Sequence, residues 1–477
     1  MATTLTNGND GYIADGGEIV NALGGDDQIY IIHTDDSDWL GLDFDYFAPA
    51  EVYGNQGDDL IVSYDWGDRL YGDSGNDTLY GGGGDDYLSG GSGNDTIWTG
   101  SSNRFADSGD VVWAGSGDDK VYLSDADNLD TLRGEDGFDT LYLFNSGGGI
   151  TQFSLLAGGS NSGLLASGFE VLHYSGSDGD ETIEGGNAED WISGNGGTDL
   201  ISGLYGNDHL SGNDGADLIN GGGGADAIDG GADADILNGQ DGNDTISGGS
   251  GDDSITDGAG NDVVSGDAGN DTIRTGAGRD TVSGGDGDDI IREDQSDITT
   301  ILIKNVPVTY VGGDTLDGGA GNDRIDGGTG NDTLLGSRGD DQLDGGSDND
   351  VIDGGAGVDR LTGGTGNDSF VFHSVNDSTP GAGRDTITDF HVTAGPSAAY
   401  TDRIDLSAID AMAGTAGNQA FTFIGSDAFS AEGQIRAVQI GADTVVLVNT
   451  QANAAQEMAI ILQNFTASTL TAADFVL

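Results

Sequence analysis

Large aliphatic side chains recur in this chain once every nine residues over long distances. From Gly176 to Arg292 the sequence divides into thirteen unbroken nonapeptides of the form G-G-x-G-x-D-x-U-x, with U a large aliphatic. The U positions are Ile183, Ile192, Ile201, Leu210, Ile219, Ile228, Leu237, Ile246, Ile255, Val264, Ile273, Val282 and Ile291. The sixth position is as regular: Glu181, Asp190, Asp199, Asp208, Asp217, Asp226, Asp235, Asp244, Asp253, Asp262, Asp271, Asp280 and Asp289. A disordered low-complexity tract has no reason to hold that register. Internal repeats of this kind mark a stacked architecture.

The unit predicts its own geometry. Glycines tolerate positive φ, so positions one to six can turn tightly. Positions seven to nine then form a short strand whose middle side chain points inward. Two units close one flattened coil of eighteen residues, and successive coils stack as parallel strands roughly 4.8 Å apart. Odd and even repeats form two parallel sheets with the aliphatic side chains between them. The expected fold is all-β: a right-handed parallel β-roll, or β-solenoid, of stacked 18-residue coils with a C-terminal β-rich capping domain.

A second array places Asp314, Asp323, Asp332, Asp341, Asp350, Asp359 and Asp368 at the sixth position. A weaker one precedes both, with Asp59, Asp68, Asp77, Asp86 and Asp95, then Asp110 and Asp119, then Asp130 and Asp139. Its spacing slips, so loops interrupt the coils. The phrase GGDDQIY around Asp27 reads as a degenerate early copy. After Val371 the repeats stop, and apolar β-branched runs bounded by Gly, Asn and Asp predict further strands. The expected divisions are degenerate repeats with an acidic aromatic insert (1–53), an interrupted β-roll (54–175) and a regular one (176–292). A β-rich insertion (293–311), a third β-roll (312–371) and the C-terminal domain (372–477) follow. No stretch reads as a long amphipathic helix.

Composition alone would suggest disorder, because low hydrophobicity with high net charge disfavours a packed core. The chain carries 84 acidic residues against 14 Lys and Arg, a formal charge of −70, with 89 glycines. Such a balance argues against nucleic acid or an anionic membrane surface as partner and points to cations. Cysteine is absent, which excludes disulfides and thiolate metal sites. The N-terminus has no basic start or apolar core of a Sec signal peptide. No apolar run approaches the ~18 residues of a membrane-spanning helix.

Stacking puts aspartates such as Asp253 and Asp271, eighteen residues apart, in adjacent coils of one face. Each such pair repels by ~1–4 kcal/mol at short range. A core of two aliphatics per coil offers little compensation. A hard cation between the turns resolves this. Calcium takes six to eight oxygens in a flexible geometry, whereas magnesium wants a smaller octahedron and keeps its waters. Zinc prefers nitrogen or sulfur, and five scattered histidines supply no array.

The nonapeptide resembles the RTX calcium-binding repeat of type I secreted bacterial proteins. That resemblance implies many bound Ca2+ ions, each held by the carbonyls of positions two and four and the Asp at six, with carbonyls of positions one and three and the Asp eighteen residues on. One such site would comprise Gly249, Gly251 and Asp253 with Gly266, Ala268 and Asp271. The chain departs from the pattern at Glu181 and at Ala188, Asp233 and Asp348, where the position-four glycine is missing. A Cβ is costly in a left-handed turn, which puts those sites in doubt. Residues 363–477 are similar to the C-terminal domain of serralysin-type metalloproteases, and Asp474-Phe475-Val476-Leu477 to a type I secretion signal. The implied partners are calcium and the type I secretion machinery, and the implied location is extracellular or at the cell surface.

The protease half of that family is not legible. His33, His173, His209, His373 and His391 are far apart and none is followed by Glu, so H-E-x-x-H is missing. G-x-S-x-G is missing too. The expectation is a non-enzyme, because the period of the aspartates fits ligands or turn residues better than an acid/base pair. The alternatives are an enzyme with an unrecognised site in residues 1–175, or a calcium-dependent glycan- or ice-binding module. Trp39, Phe44, Tyr46 and Phe47, like Trp98, Phe105 and Trp113, are expected to pack back onto the coils; the competing reading is a contact surface. An open parallel-sheet end invites pairing, so self-association into a surface layer or matrix is expected.

Overall fold

A computed structural model describes residues 2–15, 19–32, 49–64, 67–100, 109–123, 130–145, 150, 152–155, 158–160, 164–293, 299–303, 306–310, 313–392, 400–412, 419–451 and 456–477. The regular elements among these residues are β-strands and two short 3-10 turns, Ala467–Thr469 and Ala472–Asp474. The chain forms two compact units, Met1–Ile228 and Asp229–Leu477.

In the first unit most strands alternate between two parallel sheets, as the repeat requires, while Gln152–Ser154, Gly159–Ser160 and Leu165–Ser167 pair antiparallel. Glu51–Tyr53, Arg69–Ser74, Tyr87–Ser92 and Val111–Ser116 follow one another in one sheet. Leu60–Val62, Thr78–Tyr80, Thr96–Trp98 and Lys120–Leu123 do so in the other. The pairing reaches back before residue 54: Ala2–Thr4 pairs Ile19–Asn21, and Gly11–Asp15 pairs Gln28–Ile32, both in parallel. The copy at Asp27 is thus wound into the same sheets. Residues 33–48, with Trp39, Phe44, Tyr46 and Phe47, and residues 101–108, with Phe105, lie outside the described residues.

The second unit has the same alternation within itself. Ser254–Ala259, Thr272–Thr275 and Ile290–Glu293 pair in one sheet, and Thr245–Ser250, Val263–Ala268 and Thr281–Asp286 in the other. The insertion at 293–311 contains an antiparallel hairpin, Thr299–Ile303 with Val306–Tyr310. The coil does not stop at Val371. Thr386–Ile387 pairs in parallel with Arg360–Thr362, and Arg403–Asp405 with Ser369–Val371. Met458–Leu462 and Phe475–Val476 pair in parallel with Thr386–Ile387 and Arg403–Asp405, and Met458–Leu462 carries Asp443–Asn449 and then Gln434–Ile440 on its other side. The longer spacing between these strands erases the nine-residue period, and the antiparallel strands Gln434–Ile440, Asp443–Asn449 and Met458–Leu462 depart from the coil.

The position-eight side chains fill the space between the sheets, and none in the regular array is more than 3% exposed. In that array most strands run six residues rather than the expected three, as in Thr245–Ser250. The ladder continues through positions one to three of the next unit. Gly249 at position two takes φ +101 and Gly251 at position four φ +147, which turns the chain while adjacent coils stay in contact.

The first unit has a second device. Tyr80, Trp98, Tyr122, Tyr142, His173, Trp191 and His209 stack along one sheet, with centroid separations of 3.9 to 5.8 Å. Trp98 therefore does pack onto the coil, between Tyr80 and Tyr122. Trp113 lies beneath the Arg133 guanidinium at 5.1 Å. The closest neighbours in the ladder cover each other's faces: Trp98 and Tyr122 are 3.9 Å apart and 6° from parallel. Such a ladder binds coil to coil across a region where loops interrupt the repeats.

Candidate metal sites

Position six of the regular repeats comes just before the strand, and its side chain is buried. Asp253 shows the arrangement. Its Oδ1 accepts the backbone N–H of Asp235, one coil earlier, at 2.8 Å. Its own N–H donates to Asp271 Oδ1, one coil later, at 2.9 Å. The other oxygen, Oδ2, is buried without a hydrogen-bond partner. It borders the space a side chain would need at Gly248: a Cβ there would lie 2.5 Å from it and 2.7 Å from the Gly266 carbonyl oxygen. A carboxylate oxygen and a carbonyl oxygen of the next coil thus both border position one.

The arrangement repeats along both units. In the first, the carboxylates of Asp59, Asp77, Asp86, Asp95, Asp119 and Asp139 each accept an aspartate N–H at 2.6–2.9 Å. Asp199 accepts the Glu181 N–H, and Asp208, Asp217 and Asp226 accept aspartate N–H groups, at 2.7–2.8 Å. In the second unit Asp262, Asp280, Asp289, Asp314, Asp323 and Asp332 accept at 2.7–3.0 Å. Asp341, Asp350, Asp359 and Asp368 follow at 2.9–3.0 Å. Asp235 and Asp244 are equally buried. Asp110 and Asp130 accept in the same way although the spacing slips to 24 and 20 residues, whereas Asp68 accepts the Ala50 N–H and takes the Ser63 hydroxyl on its other oxygen.

Burial leaves these carboxyls reluctant to ionise. It pushes Asp77, Asp271 and Asp359 up to about 7, and Asp95 and Asp350 up to about 8, against an ordinary 3.8. The N–H of the preceding coil's aspartate pulls each one back, and neighbouring carboxylates raise it further. A buried carboxylate with one satisfied oxygen is costly unless it takes a proton or a cation.

Two departures in the sequence coincide with carboxylates satisfied in another way. In the repeat containing Ala188, the Gly186 N–H donates to Asp190 Oδ2 at 2.6 Å, while Leu172 N–H serves Oδ1 at 2.7 Å. Glu181 folds back onto its own turn, accepting from the Ser177 N–H and hydroxyl. The other two departures keep the turn. Asp233 and Asp348 take φ +76 and +81 despite their side chains. Asp and Asn visit that region at lower cost than other residues.

Sequence reasoning missed several members of the columns. Asp385 accepts the Asp359 N–H at 2.9 Å and Asp402 that of Asp368 at 3.1 Å, at spacings of 26 and 34 residues. Glu170 accepts the Asp139 N–H at 2.8 Å. An Asp ahead of an isoleucine, as in Asp385-Thr386-Ile387 and Asp402-Arg403-Ile404, was the available signal. Asp257 carries no periodic signal because it stands where the pattern calls for glycine.

The donors are all oxygens, which suits calcium and not zinc. Of the carried-over set, Asp253, Gly266 and Asp271 are brought together. The Ala268 carbonyl accepts the Gly251 N–H at 2.8 Å and retains its second lone pair. Among solved structures, the chain is similar to the solution structures of the AlgE6R3 and AlgE6R2 subunits of the Azotobacter vinelandii mannuronan C5-epimerase. Identities are 24% and 23%, over 40% and 41% of this chain and 80% and 91% of those, each with a TM-score of 0.22. It is also similar to the extracellular lipase LipA of Serratia marcescens, with 17% identity over 64% of this chain and 40% of that one, TM-score 0.22. No curated protein matches the sequence. The family model for the RTX calcium-binding nonapeptide repeat matches residues 67–100, 107–129, 126–145, 175–204, 202–237, 238–273, 265–292, 309–343 and 335–370, more than half of the chain. The chain belongs to the RTX calcium-binding nonapeptide-repeat family, and its repeats build a parallel β-roll.

Proposed function

We propose that this protein is exported by a type I system and folds outside the cell when calcium enters the columns of position-six aspartates. The observation that carries this reading is the half-satisfied carboxylate repeated in both units, as at Asp77, Asp95, Asp253, Asp271 and Asp350. In each full site the Asp carboxylates of two adjacent coils and backbone oxygens such as those of Gly249, Gly251, Gly266 and Ala268 face one ion. Calcium bound there supplies the positive charge that lets stacked carboxylates ionise together, and its binding free energy becomes folding free energy. The aspartates of the metal-free chain repel one another, which keeps it extended and fit to thread a channel. Millimolar external calcium suits modules with ~10⁻⁴–10⁻³ M affinity.

The C-terminal residues fit this order of events as a serralysin-like cap and secretion signal. Asp474 caps its 3-10 turn through the Thr471 N–H and hydroxyl, and Phe475–Val476 pairs with Arg403–Asp405. A signal so packed is readable by an exporter before folding and hidden afterwards. The folded array serves as a structural, self-associating element of a surface layer, matrix or adhesive coat. Its carboxylates are spread along both sheets rather than gathered at one cleft, which favours scaffold over catalyst.

Circular dichroism tests the folding switch. A strong β signal in calcium and its loss in EGTA at neutral pH are expected; a strong β signal in EGTA would sink the proposal. Electron microscopy with calcium tests the assembly, and monomers alone at high concentration would rule it out.

A further inference from the structure

One site in the second unit differs from the rest. Position one is glycine in nearly all repeats, but here Asp257 and, eighteen residues on, Thr275 take its place. Both side chains are fully buried. The Asp257 Oδ1 accepts the N–H groups of Gly258 and Gly276, each at 2.6 Å. Its Oδ2 has no hydrogen-bond partner, and neither has the Thr275 Oγ1.

The coil geometry determines where these atoms face. In the repeat of Asp253, a Cβ at position one would sit 2.5 Å from the carboxylate Oδ2. Asp257 stands in that place in the repeat of Asp262, and Thr275 in the repeat of Asp280. Side-chain oxygens of Asp257, Asp262 and Asp280 accordingly lie within 4.8 Å of one another, a convergence of three buried acidic groups that is unique among the described residues. Asp262 and Asp280 belong to the columns, being joined by the Asp262 N–H to Asp280 Oδ1 bond of 3.0 Å. Asp257 does not.

We propose that Asp257, Asp262 and Asp280, with the Thr275 hydroxyl alongside, form a specialised hard-cation site that holds its ion more tightly than the two-aspartate sites around it. The inference rests on the calcium reading of the columns. Ligand charge count and rigidity set calcium affinity. The third carboxylate adds charge, and its oxygen is pre-positioned by two backbone N–H groups. This ion is the first to bind as calcium rises and the last to leave, so it seeds the folding of the coils around it.

The test uses the full chain equilibrated with calcium alone against rising chelator, with bound ions counted by atomic absorption. Wild type should keep one calcium per chain after the others are stripped. Asp257→Gly, which restores the repeat pattern, should release that ion with the rest, its affinity falling on the order of tenfold or more. Asp257→Asn, which keeps the shape and removes the charge, should behave likewise. Equal retention in wild type and both variants would overturn the specialised site and leave the columns standing. No bound calcium in any of the three proteins would overturn both readings.

Discussion

Protons and calcium compete for the same buried oxygens, so calcium-free protein should gain structure as it is acidified. Asp95, Asp350 and Asp385 are pushed up to about 8, and Asp77, Asp271, Asp341 and Asp359 to about 7, chiefly by burial. In the unfolded chain the same groups titrate near 3.9. Between about pH 4 and pH 8 the metal-free fold therefore binds more protons than the unfolded chain. Its stability is fully present below the unfolded value and is lost as pH rises through 7 to 8. At about 1.4 kcal/mol per pH unit, ionising one group held near 8 costs on the order of 5–6 kcal/mol, and one held near 7 about 4. A few such groups match the whole stability of a folded domain, roughly 5–15 kcal/mol. The assay is far-ultraviolet circular dichroism of protein stripped of metal by exchange resin, stepped from pH 8.5 to pH 4.5. The β signal should be weak at the alkaline end and grow on acidification, while the same protein in millimolar calcium stays folded at pH 7 to 8. Adding calcium near pH 6.5 should release protons. A metal-free β signal that is constant, or that rises with pH, would refute the reasoning.

Two further perturbations probe what holds the coils apart from metal. Ile255→Ala removes a fully buried side chain from a core only two aliphatics deep per coil; a loss of about 2–5 kcal/mol is expected in denaturant melts with calcium, and less than about 0.5 would mean the core is not packed there. Trp98→Ala breaks the aromatic ladder at its 3.9 Å contact with Tyr122; a loss on the order of 1–2 kcal/mol confined to the first unit is expected in calorimetry with saturating calcium, and an unchanged first transition would contradict a stabilising role for the stack.

The nine-residue period was enough to read the fold. Aliphatics at Ile246, Ile255, Val264 and Ile273 alternate between two sheets because two nonapeptides close one coil. Aspartates eighteen residues apart stack because the coil does. Both follow from local backbone geometry repeated without interruption, which a sequence records directly. Where loops enter, the period is lost but the winding is not. Asp86 N–H still finds Asp110 over 24 residues, and Asp368 N–H still finds Asp402 over 34. Insertions leave at the turns, where the sheets do not constrain length, so they leave no periodic trace.

The state of each oxygen was decided only in three dimensions. Asp190 and Asp208 look alike in the repeat. Yet the Gly186 N–H satisfies Asp190 Oδ2, while Asp208 Oδ2 is buried without a hydrogen bond. The Gly186 N–H, two residues before Ala188, reaches the Asp190 oxygen directly. Asp257 reads as a flaw in the pattern; packing turns it into a third carboxylate beside Asp262 and Asp280. Sequence by itself determined the coil, the columns and the demand for positive charge, because these repeat. Tertiary structure alone decided which carboxylates are already satisfied and where three converge, because that depends on which N–H group or side chain from another turn reaches each oxygen.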